Sequence, residues 1–142
     1  QAEALRGEAH VRLWEAINNL PQTASVAADE LVVRITCLPA ALSRVLAAAR
    51  DVAQRAAVSL QAVARAINGI AYLRVHGSVS QLHEWHTAVL QVAPQTVLLA
   101  APTSLVSEVP AFGTQIANLE VMQRIKQEFD PENLLNPGRF VV

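Results

Sequence analysis

The chain carries a single cysteine, Cys37, so no internal disulfide is possible and a reducing, cytoplasmic setting is expected. Charge is scarce as well. Asp, Glu, Lys and Arg make up 16% of the residues, the formal net charge is −1, and no basic block stands anywhere along the chain. That argues against nucleic acid and against an electrostatically held membrane surface. No apolar run approaches the ~20 residues of a membrane span. A glycine-rich phosphate loop, a paired-cysteine motif and His-x-x-x-His spacing are all missing, so no metal site is expected and a nucleotide site has no support in these residues. The histidines do not alter this. His83 and His86 stand three apart on one expected helix and read as surface residues, while His10 and His76 have no evident partner. Cys37 reads as a small buried hydrophobe rather than a nucleophile. The first residue is Gln, not Met, and no signal-peptide pattern follows, so the sequence reads as a piece of a longer polypeptide.

Apolar residues are what the chain has in quantity. They form 52% of its 142 residues, enough for one domain with a real core. Set against so few charges, they also imply apolar surface that belongs against a partner outside this chain.

Leu5, Ala9, Leu13, Ile17 and Leu20 form a helical stripe that Pro21 terminates, with Trp14 beside it, and residues 22–29 read as a linker. From Leu31 to Leu38 the pattern alternates: Val33, Ile35 and Cys37 point one way, Arg34 and Thr36 the other, as in a strand. Pro39 suits the first position of a helix running through Ala57, with Leu42, Val45, Leu46, Ala49 and Ala53 on one face. Next, 59–67 and 70–76 flank Asn68-Gly69, the dipeptide of a two-residue type I′ turn, which would set Ile67 opposite Ile70. In that register Ala62, Ala64, Ala66, Ala71, Leu73 and Val75 share a face suited to covering by helices, and Val63, Arg65, Tyr72 and Arg74 share the other. Ser78 can cap a helix to Val92 that buries Leu82, Trp85, Val89 and Leu90, and 96–100 makes a fourth strand.

The order β-α-β-β-α-β describes an α+β, ferredoxin-like fold, an antiparallel sheet with helices on one face plus N-terminal and C-terminal helices. That topology sets the first strand beside the third and brings Arg34 near Tyr72 and Arg74 on the open face. We divide the chain into 1–30, a helix and linker, and 31–142, the ferredoxin-like domain. The connection from Pro102 to Gly113 is long for a compact domain and is expected to rest on another domain or subunit.

The C-terminal stretch is the most informative. Ile116, Leu119, Met122, Ile125 and Phe129 recur at helical spacing, and Pro131 ends that helix near Phe129. Asp130 is placed to cap the turn that follows, Leu134 and Leu135 to anchor the chain, and Asn136-Pro137-Gly138 to present Arg139 at a fixed place. This K-x-x-F-D-P-x-x-x-L-N-P-G-R ending resembles the C-terminus of the FAD-linked oxidases of the vanillyl-alcohol oxidase/D-lactate dehydrogenase superfamily. In that superfamily, metal-assisted hydroxy-acid dehydrogenases carry Gly-His-x-Gly-Asp-Gly-Asn-x-His on the corresponding hairpin. Aligning its Asp-Gly with Asn68-Gly69 puts Arg65 and Tyr72 where the histidines stand. The sequence departs there from the metal-assisted pattern and resembles most the FAD-binding subunits of bacterial glycolate oxidases.

The resemblance implies a cap domain over the flavin and substrate of an FAD-dependent oxidoreductase acting on a 2-hydroxy acid such as glycolate, with hydride passing to FAD. Most of the FAD would be bound by an N-terminal domain missing from this chain, so the fragment alone would be inactive. The implied partners are that domain, catalytic flavoprotein and iron-sulfur subunits, and a small hydroxy acid, with peripheral attachment at the inner membrane through those subunits. Arg65, Tyr72, Arg74 and Arg34 are the candidate substrate-binding residues. Asn136 and Arg139 are the candidates for contact with the cofactor or the flavin domain. Two alternatives stay open: a non-catalytic interaction subunit, and a free-standing ferredoxin-like module that binds a small ligand.

Overall fold

The computed structural model describes residues 6–22, 26–135 and 137. Helix α1 (Glu8–Asn19) precedes strand β1 (Glu30–Thr36); α2 (Leu42–Arg55) follows a 3-10 turn opened by Pro39, and β2 (Ser59–Arg65) and β3 (Ile70–His76) form the hairpin. Then come α3 (Val79–Val92), β4 (Thr96–Ala100), the short α4 (Thr103–Val106) and α5 (Leu119–Phe129). The sheet is antiparallel with order β2-β3-β1-β4, as expected of the ferredoxin-like arrangement.

Alternation along β1 and β3 sends Leu31, Val33, Ile35, Ala71, Leu73 and Val75 to one face, where they are fully buried. Helices α2 and α3 close over them. Leu42, Val45, Ala49, Val52 and Ala53 recur at helical spacing on α2, and Leu82, Trp85, Val89 and Leu90 on α3. Trp85 donates its indole N–H to the Ala49 carbonyl at 3.4 Å, which ties the two helices together and satisfies a donor that burial has removed from water. Helix α3 starts as expected. Ser78 Oγ accepts from the Gln81 amide and the Gln81 side chain accepts from the Ser78 amide, a complete capping box.

The hairpin differs from the two-residue expectation. Arg65 pairs with Ile70 and Val63 with Tyr72, so a four-residue loop, 66–69, joins the strands, with 66–68 forming a 3-10 turn. Only Gly69 has positive φ, 64°; Asn68 does not. The reason is tertiary. The Gly69 carbonyl accepts from the Cys37 amide at 2.9 Å, and a Cβ on Gly69 would fall inside the Cys37 carbonyl, so the loop is shaped by its packing on the end of β1. A shift by two residues preserves the faces. Even so, Ala62 and Ala64 lie exposed on the edge strand β2.

The 102–113 connection is also corrected. Leu105 on α4 and Val109 join the domain's own core, and the Ala111 carbonyl accepts from Leu98 on the free edge of β4. Gly113, at φ 76°, leaves no room for a Cβ beside the Pro94 carbonyl. Helix α5 does end at Phe129, with Asp130 as its C-cap. Its apolar stripe, however, stays open: no residue of α5 is buried, Phe129 is 80% exposed, and Leu134 and Leu135, expected to anchor the chain, are 71% and 65% exposed.

Candidate functional site

The face away from α2 and α3 presents Glu30, Val32 and Arg34 from β1, Tyr72, Arg74 and His76 from β3, and Val63 and Arg65 from β2. Arg34 lies opposite Tyr72, and Tyr72 opposite Val63, so these three form one row across the sheet. Arg65 stands two residues along β2, opposite Ile70. The topology thus joins Arg34 to Tyr72 as expected, whereas the corrected register moves Arg65 diagonal to Tyr72.

Arg74 is drawn away from any ligand role. Its guanidinium donates to the Leu20 carbonyl at 3.2 Å, the Gln22 carbonyl at 2.5 Å and Glu30 Oε2 at 2.9 Å. Glu30 in turn accepts from the Ala27 amide at 3.1 Å and pairs with His76 Nε2 at 3.3 Å. Burial pushes the Glu30 carboxyl up, but the Ala27 amide, Arg74 and His76 outweigh it and hold the pKa below the usual carboxylate value. Carbonyls at the end of a helix carry partial negative charge, so a cation on β3 is well placed to pin the end of α1.

Pinned in this way, α1 faces the hairpin across a cleft of about 540 Å3. Trp14, Ile17, Asn18 and Pro21 line one side, and Val63, Arg65 and Tyr72 are among the residues lining the other. Trp14 donates its indole N–H to His10 Nε2 at 2.9 Å, with the rings edge to face, which fixes this wall. Nothing in the sequence pattern paired α1 with the hairpin. The exposed Trp14 beside the stripe was the one signal that the helix had a second apolar surface.

Among the described residues, Arg65 and the Tyr72 hydroxyl make no hydrogen bond or ion pair, and Arg34 Nε is buried without a partner. Arg65 is exposed and Tyr72 half-buried, so their donors are open to an anionic oxygen-bearing ligand, while the cost of an unpaired buried donor falls on Arg34 alone. The fit to FAD itself is poor. Its pyrophosphate needs a cradle of free backbone amides, and among the described residues the glycines beside the sheet are spent on close packing, Gly69 against Cys37, Gly77 against Val58 and Gly113 against Pro94, with the Gly77 amide donating to the Asp29 carbonyl. The described residues contain no group of three His, Cys, Asp or Glu able to hold a metal. No helix among them is long and apolar enough to cross a membrane.

His86, expected at the surface, is fully buried, and neither ring nitrogen has a partner among the described residues. It sits within the 82-85-86-89 face of α3, a placement its spacing could have revealed. Burial, aided by the His83 charge, pushes its pKa down to about 4.

Asn136 and Arg139 lie outside the described residues. Just before them Asp130 organises the chain: its carboxylate accepts from the Leu134 amide at 2.8 Å and the Leu135 amide at 3.0 Å and pairs with Lys126, which also donates to the Leu135 carbonyl. The Lys126 hydrogen bond, against an opposing push from burial and with help from the two amides, holds the Asp130 carboxyl below its usual range.

Residues 113–140 match the family model of FAD linked oxidases, C-terminal domain. The matched segment covers α5 and the turn built on Asp130. Comparison with curated proteins and with solved structures gives no match.

Proposed function

We propose that this chain is the substrate-side cap of an FAD-dependent oxidoreductase that oxidises 2-hydroxy acids, glycolate being the simplest. The observation that carries the reading is the match of 113–140 to the C-terminal domain of FAD linked oxidases. The open-face chemistry supports it. Arg65 offers a planar pair of donors to a carboxylate, and Tyr72 offers a hydroxyl to the neighbouring oxygen of a hydroxy acid. Arg34, behind Tyr72, adds positive potential. FAD would be bound by a separate domain, with a catalytic flavoprotein and an iron-sulfur subunit as further partners, and Asn136 and Arg139 meet that flavin domain or the cofactor's polar edge. A cytoplasmic location, with attachment to the inner membrane through those subunits, belongs to the same proposal.

Steady-state kinetics of the full complex carrying Arg65→Met tests this. Loss of a charge-assisted pair worth about 1.5–3 kcal/mol should lower kcat/KM by roughly ten- to a hundredfold. Retained activity with weakened assembly would make the face an interface instead. That second reading, a non-catalytic interaction subunit, is favoured by one observation of its own: the exposed apolar surface of Phe129, Leu134 and Leu135.

A further inference from the structure

The cleft between α1 and the hairpin is unevenly equipped. Most of the residues lining it are apolar, Trp14, Ile17 and Pro21 on one side and Ala62, Val63 and Ala64 on the other, but Asn18, Arg65 and Tyr72 make the lining surface mixed. Among the described residues that line it, Arg65 is the one charged residue and none is acidic. Since Arg65 has no partner among the described residues, the space has a net attraction for a single negative charge, with the Asn18 amide and the Tyr72 hydroxyl as its further polar groups. Its size matters too. At about 540 Å3 it falls within the range of roughly 300–1,000 Å3 typical of clefts that bury larger organic ligands. A two-carbon acid would leave most of the apolar wall wet.

We infer that the cleft binds monocarboxylates with a bulky hydrocarbon or aromatic body, the carboxylate on Arg65 and the body against Trp14, Ile17 and Val63. Within the function proposed above, the preferred substrates are then 2-hydroxy acids with an apolar side chain, and glycolate is a poor one. That the ligand is also the substrate rests on that proposal; the class of ligand follows from the cleft. Charge complementarity selects the anion, and wall composition selects the body. Trp14 is held by His10, and the end of α1 by Arg74, so the wall stands before a ligand arrives and little ordering is needed on binding.

The test uses the full-length protein as purified, loaded with FAD, and two ligand series. Straight-chain carboxylates from acetate to octanoate, which lack a 2-hydroxyl to oxidise, are titrated calorimetrically, and the matching 2-hydroxy acids are assayed for turnover. Affinity should climb about two- to fourfold per methylene along the first series, the upper figure corresponding to full burial. Trp14→Ala should flatten the climb, and Arg65→Met should weaken every member by about the same factor. Val63→Thr, on the sheet side, guards against loss of α1 in the tryptophan variant and should also reduce the climb. A flat series, or a climb untouched by both wall variants, overturns the inference. A climbing carboxylate series with no 2-hydroxy acid oxidised keeps the cleft and removes the redox reading. Turnover best on glycolate with a flat binding series does the opposite.

Discussion

Helices α2 and α5 carry apolar stripes of the same kind, yet α2 buries Leu42, Val45, Ala49, Val52 and Ala53 while α5 buries nothing. The difference lies in what stands opposite. Helix α2 lies over the buried face of β1 and β3 and against α3, whereas the α5 stripe ends in Ile125 and Phe129 facing solvent. An amphipathic pattern therefore reports that a helix has an apolar face to cover. It does not report that the covering surface belongs to the same chain. Helix α1 falls between the two cases: none of its residues is buried, but Arg74 holds its C-terminal end and one side of it walls a cleft.

Gly69→Val should break the comparison most severely, because it strikes where the hairpin locks onto the core. A β-branched residue at φ 64° is strained, and its Cβ would overlap the Cys37 backbone, so a loss of about 4 kcal/mol or more is expected in urea melts. A variant that melts like wild type would show that the loop does not pack on β1. Arg74→Met comes next. It removes the Arg74 partner of Glu30, which keeps the Ala27 amide and His76, and should cost about 1.5–3 kcal/mol. The informative readout is regional: amide exchange in α1 should rise more than in β3, and equal rises would mean that Arg74 serves the sheet rather than the helix.

His86 sharpens the comparison through pH. Its pKa is about 4 in the folded chain against an ordinary 6.5, so between those values the unfolded state binds the extra proton. Stability should be independent of this group above about pH 6.5 and fall as pH is lowered, by up to about 3 kcal/mol near pH 4. His86→Leu should abolish that slope and, by removing two unpartnered nitrogens, gain about 1–2 kcal/mol at pH 7. Melts at several pH values decide it; an unchanged slope would place the acid sensitivity on the carboxylates. The smallest effect is expected on the other side of the comparison. Phe129→Ser should change stability by less than about 0.5 kcal/mol, since the ring is already in water. A larger loss would reveal a surface that covers it.

Much of the sandwich was legible because local signals agreed. Pro39 and Ser78 marked helix starts, alternation over 31–38 and 70–76 marked strands, and the two periodicities named most of the buried residues, although Leu46 and Cys37 are only half-buried and Val52 on α2 was missed. For His86 the position within the α3 face, not the residue type, is the guide to burial. Of the candidate site, the Arg34–Tyr72 pairing followed from topology alone. The diversion of Arg74 to Leu20, Gln22 and Glu30 could not be seen, because those contacts join residues far apart in sequence.

The sequence by itself determined the order of the strands and longer helices, though not the short α4, together with the sheet topology and which face of each central strand turns inward, since periodicity and capping act over a few residues and a shift by two leaves the faces unchanged. Only the tertiary structure decided the hairpin register, where the Gly69 carbonyl meets the Cys37 amide, and which open-face arginine is tied up, Arg74 pinning α1 while Arg65 has no partner among the described residues. These outcomes depend on backbone groups brought together across the fold, and no local pattern of side chains encodes them.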